Sequence, residues 1–160
     1  RTFIMPGQAE RKKSVKYKLV PQELEIRDKK VMIMDDSIVR GNTSREIVRM
    51  LRDFGAKKVY FSVACPPVKS PCFYGVDMPT KDELIAGSMS EEEIETYLEV
   101  DALLYQNIDD LVEAVTRRGD HYIDKPCMAC LDGNYIANDI DENKIKEMEK
   151  VRNGDRTNNI

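Results

Sequence analysis

The sequence has no long apolar run, few cysteines and no excess of positive charge. No apolar stretch approaches the ~20 residues that a membrane-spanning helix needs, and the N-terminal residues lack a signal-peptide pattern. A formal net charge of -4 argues against general nucleic-acid binding, because no basic face outweighs the acidic residues. Four cysteines are too few for a secreted disulfide scaffold. We therefore expect a cytoplasmic protein that binds neither membranes nor nucleic acid.

Common catalytic motifs are absent as well. The sequence has no G-x-x-x-x-G-K-[ST] loop, which argues against a nucleoside triphosphatase. The single histidine, His121, matches no triad or metal spacing, and no Ser/His/Asp or Cys/His nucleophile set is visible. With 160 residues the chain is long enough to bury one core. Because it begins at Arg1 rather than at Met, we expect it to be a piece of a longer protein.

Alternating strands and helices are predicted from Val31 onward. The apolar run VMIM predicts a strand covered on both faces, and VYFSVA at 59–64 predicts a second one. Between them, Thr43 and Glu46 form a capping-box pattern that predicts a helix ending near Gly55. A strand, a helix and a strand in this order favour a parallel pair with a right-handed crossover.

Further elements follow the second strand. Capping-box patterns at Thr80/Glu83 and Ser90/Glu93 predict two more helices, residues 100–105 predict a third strand, and Asn107 is the expected N-cap of the next helix. Residues 119–138 look irregular, and 141–152 form a polar helical pattern. The predicted class is α/β.

Two adjacent acids and a loop suited to an anion follow the first strand. In open α/β sheets ligands bind where strands end, and Ser37–Ser44 lies at that point. Its backbone N–H groups and the following helix can hold a phosphate, and Gly41 permits close approach. Asp35 and Asp36 could accept hydrogen bonds from vicinal hydroxyls or reach Mg²⁺ through water. The alternative is an ordinary acidic turn, in which Asp36 caps and Asp35 is merely exposed.

The cysteines alone are ambiguous. Cys127-x-x-Cys130 could bind zinc, act as a redox pair or be two buried thiols. With Cys65 and Cys72 the chain could offer a Cys₄ site. The basic residues of 1–20 are equally ambiguous from composition, which predicts a solvated surface or a frayed terminus.

The run VMIMDDSIVRGNTS resembles the phosphoribosyl-pyrophosphate (PRPP) signature of type I phosphoribosyltransferases. Its form DDSIVRG is similar to the glutamine PRPP amidotransferase family. Upstream, RTFIMPGQAERKKSVKYKL resembles the mobile loop of that family. Downstream, GAKKVY, PCFYGVDMPTKDELIA and CMACLDGNY also match, so the resemblance covers nearly the whole chain.

The resemblance implies a type I phosphoribosyltransferase fold, a parallel sheet flanked by helices, present here as a C-terminal portion. Residues 1–20 would form the mobile lid, 21–118 the core, and 119–160 a segment with the CxxC pair and a terminal helix. A glutaminase domain is expected upstream. The implied reaction transfers phosphoribosyl from PRPP to ammonia derived from glutamine. Its product is 5-phosphoribosylamine, at the first committed step of purine synthesis. Feedback by purine nucleotides and a homo-oligomer are also expected.

The resemblance also assigns roles to residues. Asp35 and Asp36 would hold the ribose 2′- and 3′-hydroxyls and help to organise Mg²⁺. Lys18 is the expected pyrophosphate contact, with Arg11 as a second candidate. The 5-phosphate would lie in a cradle made of Ser37, Ile38, Val39, Arg40, Gly41, Asn42 and Thr43.

Three cysteines match ligands of a [4Fe–4S] cluster in one subgroup of the family, with the fourth ligand upstream of Arg1. They are Cys72, Cys127 and Cys130, and Cys65 would be a spare buried thiol. Zinc or free thiols remain the alternatives.

Two other functions fit a phosphoribosyltransferase fold. One is a PRPP-sensing regulator without catalysis, which an upstream DNA-binding domain would favour. The other is a salvage enzyme that acts on a base, against which the long downstream match argues. We expect the chain alone to bind PRPP poorly and to be inactive. It would supply only part of the phosphoribosyl site, strands expected before the lid are missing, and it shows no nucleophile for glutamine hydrolysis.

Overall fold

The computed structural model of the chain describes residues 20–76, 78–116, 123, 125–137, 140 and 142–157. Three parallel strands form one sheet, in the order β1-β2-β3. They are β1 (Lys30–Asp35), β2 (Lys58–Val63) and β3 (Ala102–Tyr105). The helices are α1 (Glu23–Ile26), α2 (Asn42–Asp53), α3 (Ile85–Ser88), α4 (Glu91–Leu98), α5 (Ile108–Thr116), α6 (Ala129–Asp132) and α7 (Glu142–Thr157), and Lys81–Glu83 is a 3₁₀ turn. The predicted α/β class and the parallel β1–β2 pair are confirmed.

The main core lies between the sheet and helices α2 and α4. Val59 and Phe61 of β2 are fully buried, as are Val48 of α2 and Ile94 and Leu98 of α4. These helical positions recur at intervals of three or four residues, so each helix turns one apolar stripe toward the sheet. The packing fixes where β2 ends, and with it the position of the loops at that edge.

The prediction that β1 is covered on both faces is wrong for the described residues. The side chains of β1 alternate between exposed and half-buried, and Met32 and Met34 are 57% and 78% exposed. In the register of the sheet Met34 pairs with Ser62, which pairs with Leu104, a residue that is 49% exposed. Alternate residues of a strand point to opposite faces, and Met32, Met34 and Leu104 leave their face largely exposed in the described part of the chain.

The predicted helix starts were partly correct. The Ser90–Glu93 capping box is present with both hydrogen bonds, and Asn107 Oδ1 accepts the N–H of Asp109 at 2.8 Å. The Thr43–Glu46 box does not form, because α2 begins at Asn42 with left-handed Gly41 as its N-cap.

The other corrections concern short elements. Thr80 opens a 3₁₀ turn rather than an α-helix, because the extended backbone of Leu84 ends the turn and α3 begins afresh. Residues 119–138 are not wholly irregular, since Ala129–Asp132 makes one helical turn closed by left-handed Gly133. The last helix, α7, runs from Glu142 to Thr157 and is longer than predicted.

A second, smaller core connects the cysteine-bearing segment to the rest of the fold. Val68, Leu84 and Leu131 form it, and Val39, Cys65 and Cys130 are among the half-buried residues that pack against it. The N–H of Lys81 donates to Glu149 of α7 at 2.7 Å.

None of the helices in the described ranges combines the length and apolar character that a bilayer span requires.

Candidate functional site

The two adjacent acids lie at the carboxyl end of β1. Asp35 is the last residue of the strand, and its carbonyl accepts the N–H of Ala64 at 3.0 Å. Asp35 Oδ1 accepts the N–H of Asp36 at 3.0 Å, and Asp36 Oδ1 accepts the hydroxyl of Ser37 at 3.0 Å. Burial raises the pKa of Asp35, the N–H of Asp36 lowers it, and the Asp36 charge adds to the rise. The second oxygen of each carboxylate has no protein hydrogen bond among the described residues.

The loop after the acids is held between the two cores. Ile38 is 2% exposed and belongs to the main core, whereas Val39 packs against the second. The carbonyl of Val39 accepts the N–H of Ile85 at 2.9 Å. Since the Ile38 side chain is buried, Ile38 can contact a ligand through its main chain only, whereas Val39 is half-buried.

The predicted loop residue Arg40 has its side chain engaged elsewhere. Arg40 Nε donates to Glu83 Oε1 at 3.0 Å, and these side chains are 27% and 36% exposed. The ion pair ties the loop to the 3₁₀ turn and partly neutralises the guanidinium. Arg40 therefore strengthens the loop framework, and its backbone N–H remains able to face an anion.

Gly41 is the tightest point of the loop. Its φ is +73°, and a Cβ placed there would lie 2.7 Å from Ile85 Cδ1 and 3.2 Å from Tyr97 Cε1. A side chain would thus meet both an unfavourable backbone conformation and a steric clash. The loop runs directly into the twelve-residue helix α2, whose first N–H groups have no intrahelical acceptors. Such a helix terminus carries partial positive charge and favours a phosphate.

The first residues of α2 complete the loop. Asn42 Oδ1 accepts the hydroxyl of Tyr97 on α4 at 3.1 Å. Thr43 is half-buried, and Ser44 is 4% exposed. Asp35 and Asp36 form a site of two carboxylates. In the described residues no group of three or more His, Cys, Asp or Glu side chains is arranged to hold a metal ion, and this applies to the cysteines as well as to the acids.

None of the four cysteines forms a disulfide, and Cys65 and Cys130 pack against the second core. Burial raises the pKa of Cys130, and the neighbouring Cys72 and Cys127 raise it further through charge. The N–H groups of Lys69 and Ser70 both donate to the carbonyl of Cys130, at 2.9 and 3.0 Å. These contacts bring the CxxC segment beside the loop that contains Cys72.

Cys72 and Cys65 lie in different surroundings. The N–H of Tyr74 donates to Cys72 Sγ at 3.3 Å, the kind of bond that supports a metal-bound thiolate. Cys65, expected to be buried, is half-buried instead because it lies on the border between the two cores. Burial raises its pKa, with Cys130 and Asp36 contributing through charge.

Comparison with known proteins identifies relatives of the chain. The amidophosphoribosyltransferase of Pseudomonas aeruginosa is 49% identical over 153 residues, which are 96% of this chain. The amidophosphoribosyltransferases of Escherichia coli and Methanothermobacter thermautotrophicus are 43% and 45% identical over 97% and 89% of the chain. This chain is homologous to amidophosphoribosyltransferases.

Solved structures agree with the homology to amidophosphoribosyltransferases. Glutamine PRPP amidotransferase from B. subtilis, complexed with ADP and GMP, superposes with a TM-score of 0.65 and 38% identity over 91% of the chain. A structure described as the allosteric regulatory enzyme of purine biosynthesis gives the same values. No protein-family model matches the chain. The chain spans 30% of the length of each of the three curated amidophosphoribosyltransferases and 32% of the solved B. subtilis chain.

The structure brings together the acids and the loop predicted from the sequence. Lys18, Arg11 and His121 lie outside the described residues. The sequence did not reveal that Glu83, named only as part of a capping box, and Tyr97 contact the loop, because they are 43 and 55 residues from their loop partners. No local pattern reports such pairs, since both depend on how α4 and the 3₁₀ turn pack behind the loop.

Proposed function

We propose that the chain supplies the ribose-phosphate part of the active site of an amidophosphoribosyltransferase. This enzyme transfers the phosphoribosyl group of PRPP to ammonia released from glutamine, and it forms 5-phosphoribosylamine for purine synthesis. The observation that carries the proposal is the two-carboxylate site of Asp35 and Asp36 directly before the anion loop 37–43, in a chain homologous to these enzymes. The acids suit ribose hydroxyls and the loop suits the 5-phosphate.

The chemistry of the reaction fits this division. Displacement of pyrophosphate from the anomeric carbon passes through an oxocarbenium-like transition state, as glycoside hydrolysis does. Positive charge then develops on the sugar, and Asp35 and Asp36 can stabilise it while they hold the hydroxyls. When Mg²⁺ is bound, Asp35 and Asp36 would help to hold it, and it would supply charge stabilisation for the departing pyrophosphate. The loop fixes the opposite end of the ribose.

The proposal includes the segment before the described residues. Residues 1–20 would close over PRPP as a lid and exclude water that competes with ammonia. Lys18, and second Arg11, would contact the pyrophosphate. Both assignments rest on the resemblance of the segment to the mobile loop of the family.

We further propose that Cys72, Cys127 and Cys130 supply three ligands of a [4Fe–4S] cluster. The resemblance of these residues to cluster ligands, the closeness of Cys72 and Cys127 to Cys130 and the N–H bond to Cys72 Sγ support it, although the described side chains are not gathered into a metal-holding group. The cluster would hold the C-terminal segment in place, since the reaction has no redox step. Anaerobic purification of the complete gene product should give a brown protein with stoichiometric iron and sulfide. C72S, C127S and C130S should lose the colour, whereas C65S should keep it. A colourless or zinc-loaded anaerobic preparation would contradict the cluster.

The resemblance to the glutamine PRPP amidotransferase family also suggests the other partners of the enzyme. A glutaminase domain in the complete protein would deliver ammonia, and purine nucleotides would act as feedback inhibitors in a homo-oligomer. ADP and GMP are bound in the B. subtilis relative, which supports nucleotide regulation here. We place the enzyme in the cytoplasm, without a membrane or nucleic-acid partner.

The decisive experiment measures PRPP-dependent phosphoribosylamine formation by the complete gene product with glutamine and with ammonia. We expect D35N and D36N to lose most of the activity, because each variant removes a charge that stabilises the transition state. D53N is the matched control, since Asp53 is an exposed acid at the far end of α2. Activity with purine bases instead of ammonia would indicate a salvage enzyme. PRPP binding without turnover would indicate a regulator.

A further inference from the structure

Tyr97 lies behind the anion loop and bonds to one of its residues. Its hydroxyl donates to Asn42 Oδ1 at 3.1 Å, across 55 positions of sequence. The edge of the same ring approaches Gly41 so closely that a Cβ there would lie 3.2 Å from Cε1. Tyr97 is thus the residue of α4 that touches both Gly41 and Asn42, where the loop becomes helix α2.

The ring of Tyr97 is itself held in place. The guanidinium of Arg45 lies over it, 4.4 Å from the ring centroid. Arg45 Nη2 also donates to Glu99 Oε1 at 2.9 Å, and Arg45 Nε is buried without a hydrogen-bond acceptor in the described structure. A cation stacked on an aromatic face in a partly desolvated place restrains both groups. The hydroxyl of Tyr97 therefore meets Asn42 from a fixed direction.

In the structure the Tyr97 hydroxyl bonds to the oxygen end of the Asn42 amide, which leaves the NH₂ end for a ligand. A carboxamide has an oxygen that accepts and an NH₂ that donates. Because Oδ1 is occupied by the Tyr97 hydroxyl, the two N–H donors remain. An anion requires donors and is repelled by a carbonyl oxygen, so only one of the two amide orientations suits a phosphate.

We propose that Tyr97 is a positioning residue that orients the Asn42 amide with its NH₂ toward the phosphate held by the loop. The inference rests on the proposed function, because it requires a phosphate in the loop. It adds a contact from α4 that orients a ligand-binding side chain. Without Tyr97, the Asn42 amide would be free to rotate and its NH₂ group would have no fixed direction.

The test uses ribose 5-phosphate as the probe and the complete gene product, with binding measured by calorimetry. We expect Tyr97→Phe to weaken binding about 3- to 10-fold, in line with the loss of one oriented hydrogen bond. Tyr60→Phe is the matched control, since Tyr60 lies on β2 at the other face of the sheet and should leave binding unchanged. In the steady state the same Tyr97 variant should raise KM for PRPP more than it lowers kcat.

A second variant separates orientation from packing. Asn42→Ala has no amide to orient, so adding Tyr97→Phe to it should change ribose 5-phosphate affinity by less than about 2-fold. An equal loss in both backgrounds would show that Tyr97 acts through packing alone and would overturn the proposal. Unchanged binding by Tyr97→Phe would overturn it too.

The outcomes distinguish this inference from the proposed function. Ribose 5-phosphate binding that depends on Tyr97, without formation of phosphoribosylamine, would remove the proposed reaction and keep the inference. Phosphoribosylamine formation that is insensitive to Tyr97→Phe would support the proposed reaction and overturn the inference about Tyr97. Failure of the unmodified protein to bind ribose 5-phosphate would overturn the inference directly.

Discussion

The two faces of the sheet differ sharply in what covers them. On one face Val59 and Phe61 lie under α2 and α4 and are fully buried. On the other face Met32, Met34 and Leu104 remain roughly half exposed or more. The strands have apolar residues on both faces, so composition does not separate them. In the described part of the chain, burial therefore follows where α2 and α4 pack, and not the apolar character of a strand.

The largest loss of stability is expected when the central side chain of the covered face is replaced. Phe61→Ala should lower the free energy of unfolding by about 3–5 kcal/mol, because it removes buried apolar area and leaves a cavity. Tyr60→Ala, one residue away on the opposite face, should cost less than half as much. Chemical denaturation of both variants measures the contrast. Equal losses would mean that the second face is also covered.

The next largest effect is expected at Gly41, in the loop that follows β1. Gly41→Ala should cost about 2–3 kcal/mol, because the new methyl group meets Ile85 and the backbone keeps a left-handed φ. Gly55→Ala is the matched control, with φ +84° but no neighbour closer than 3.5 Å. It isolates the cost of the backbone conformation from that of the clash. If the two variants unfold at the same denaturant concentration, the space behind Gly41 is not tight.

A smaller effect is expected at the opposite end of the covered face. Asp101 Oδ2 accepts the N–H of Val59 at 2.8 Å and the guanidinium of Arg52 at 2.7 Å. Asp101→Ala leaves the buried Val59 N–H without an acceptor and should cost roughly 1–2 kcal/mol. Asp53→Ala, an exposed acid on α2, is the control and should be close to neutral in the same denaturation assay.

The contribution of Asp101 to folding stability should depend on pH. The Val59 N–H, followed by Arg52, lowers the pKa of Asp101 below its ordinary 3.8, and hydrogen bonds from Arg49 and Arg45 lower the pKa of Glu99 below 4.5. A lowered folded pKa gives stability above the ordinary value and loses it as pH falls through the folded value. The stability difference between the unmodified chain and D101N should therefore be largest above pH 3.8 and shrink below it. A difference that stays constant from pH 6 to pH 2 would contradict the lowered pKa.

The smallest effect is expected on the uncovered face. Met34→Gln in the 160-residue chain should change the free energy of unfolding by no more than about 0.5 kcal/mol, because the side chain is 78% exposed. Ile33→Gln is the matched variant, since Ile33 packs against the main core on the other side of the same strand. It should cost several-fold more. A large loss at Met34 would show that this face is covered in solution.

The elements that sequence predicted well have short-range causes. Ser90 and Glu93 are three residues apart, and their capping box forms as the pattern indicates. The run of Asp35 and Asp36 into a loop with a glycine also lies within one short stretch, and the structure keeps it together. The Thr43 box failed for a reason that the local pattern does not contain. Gly41 is pressed against Ile85 and Tyr97, and its left-handed backbone starts the helix earlier.

The sequence by itself determined the alternation of strands and helices, the acid pair with the glycine-containing loop that follows it, and the family resemblance. Each of these follows from residues that are neighbours along the chain, where spacing and backbone preference act directly. Only the tertiary structure decided which sheet face is covered, that Arg40 pairs with Glu83, and that Tyr97 bonds to Asn42. Those contacts join residues 43 and 55 positions apart, and they form only when the 3₁₀ turn and α4 are folded against the loop.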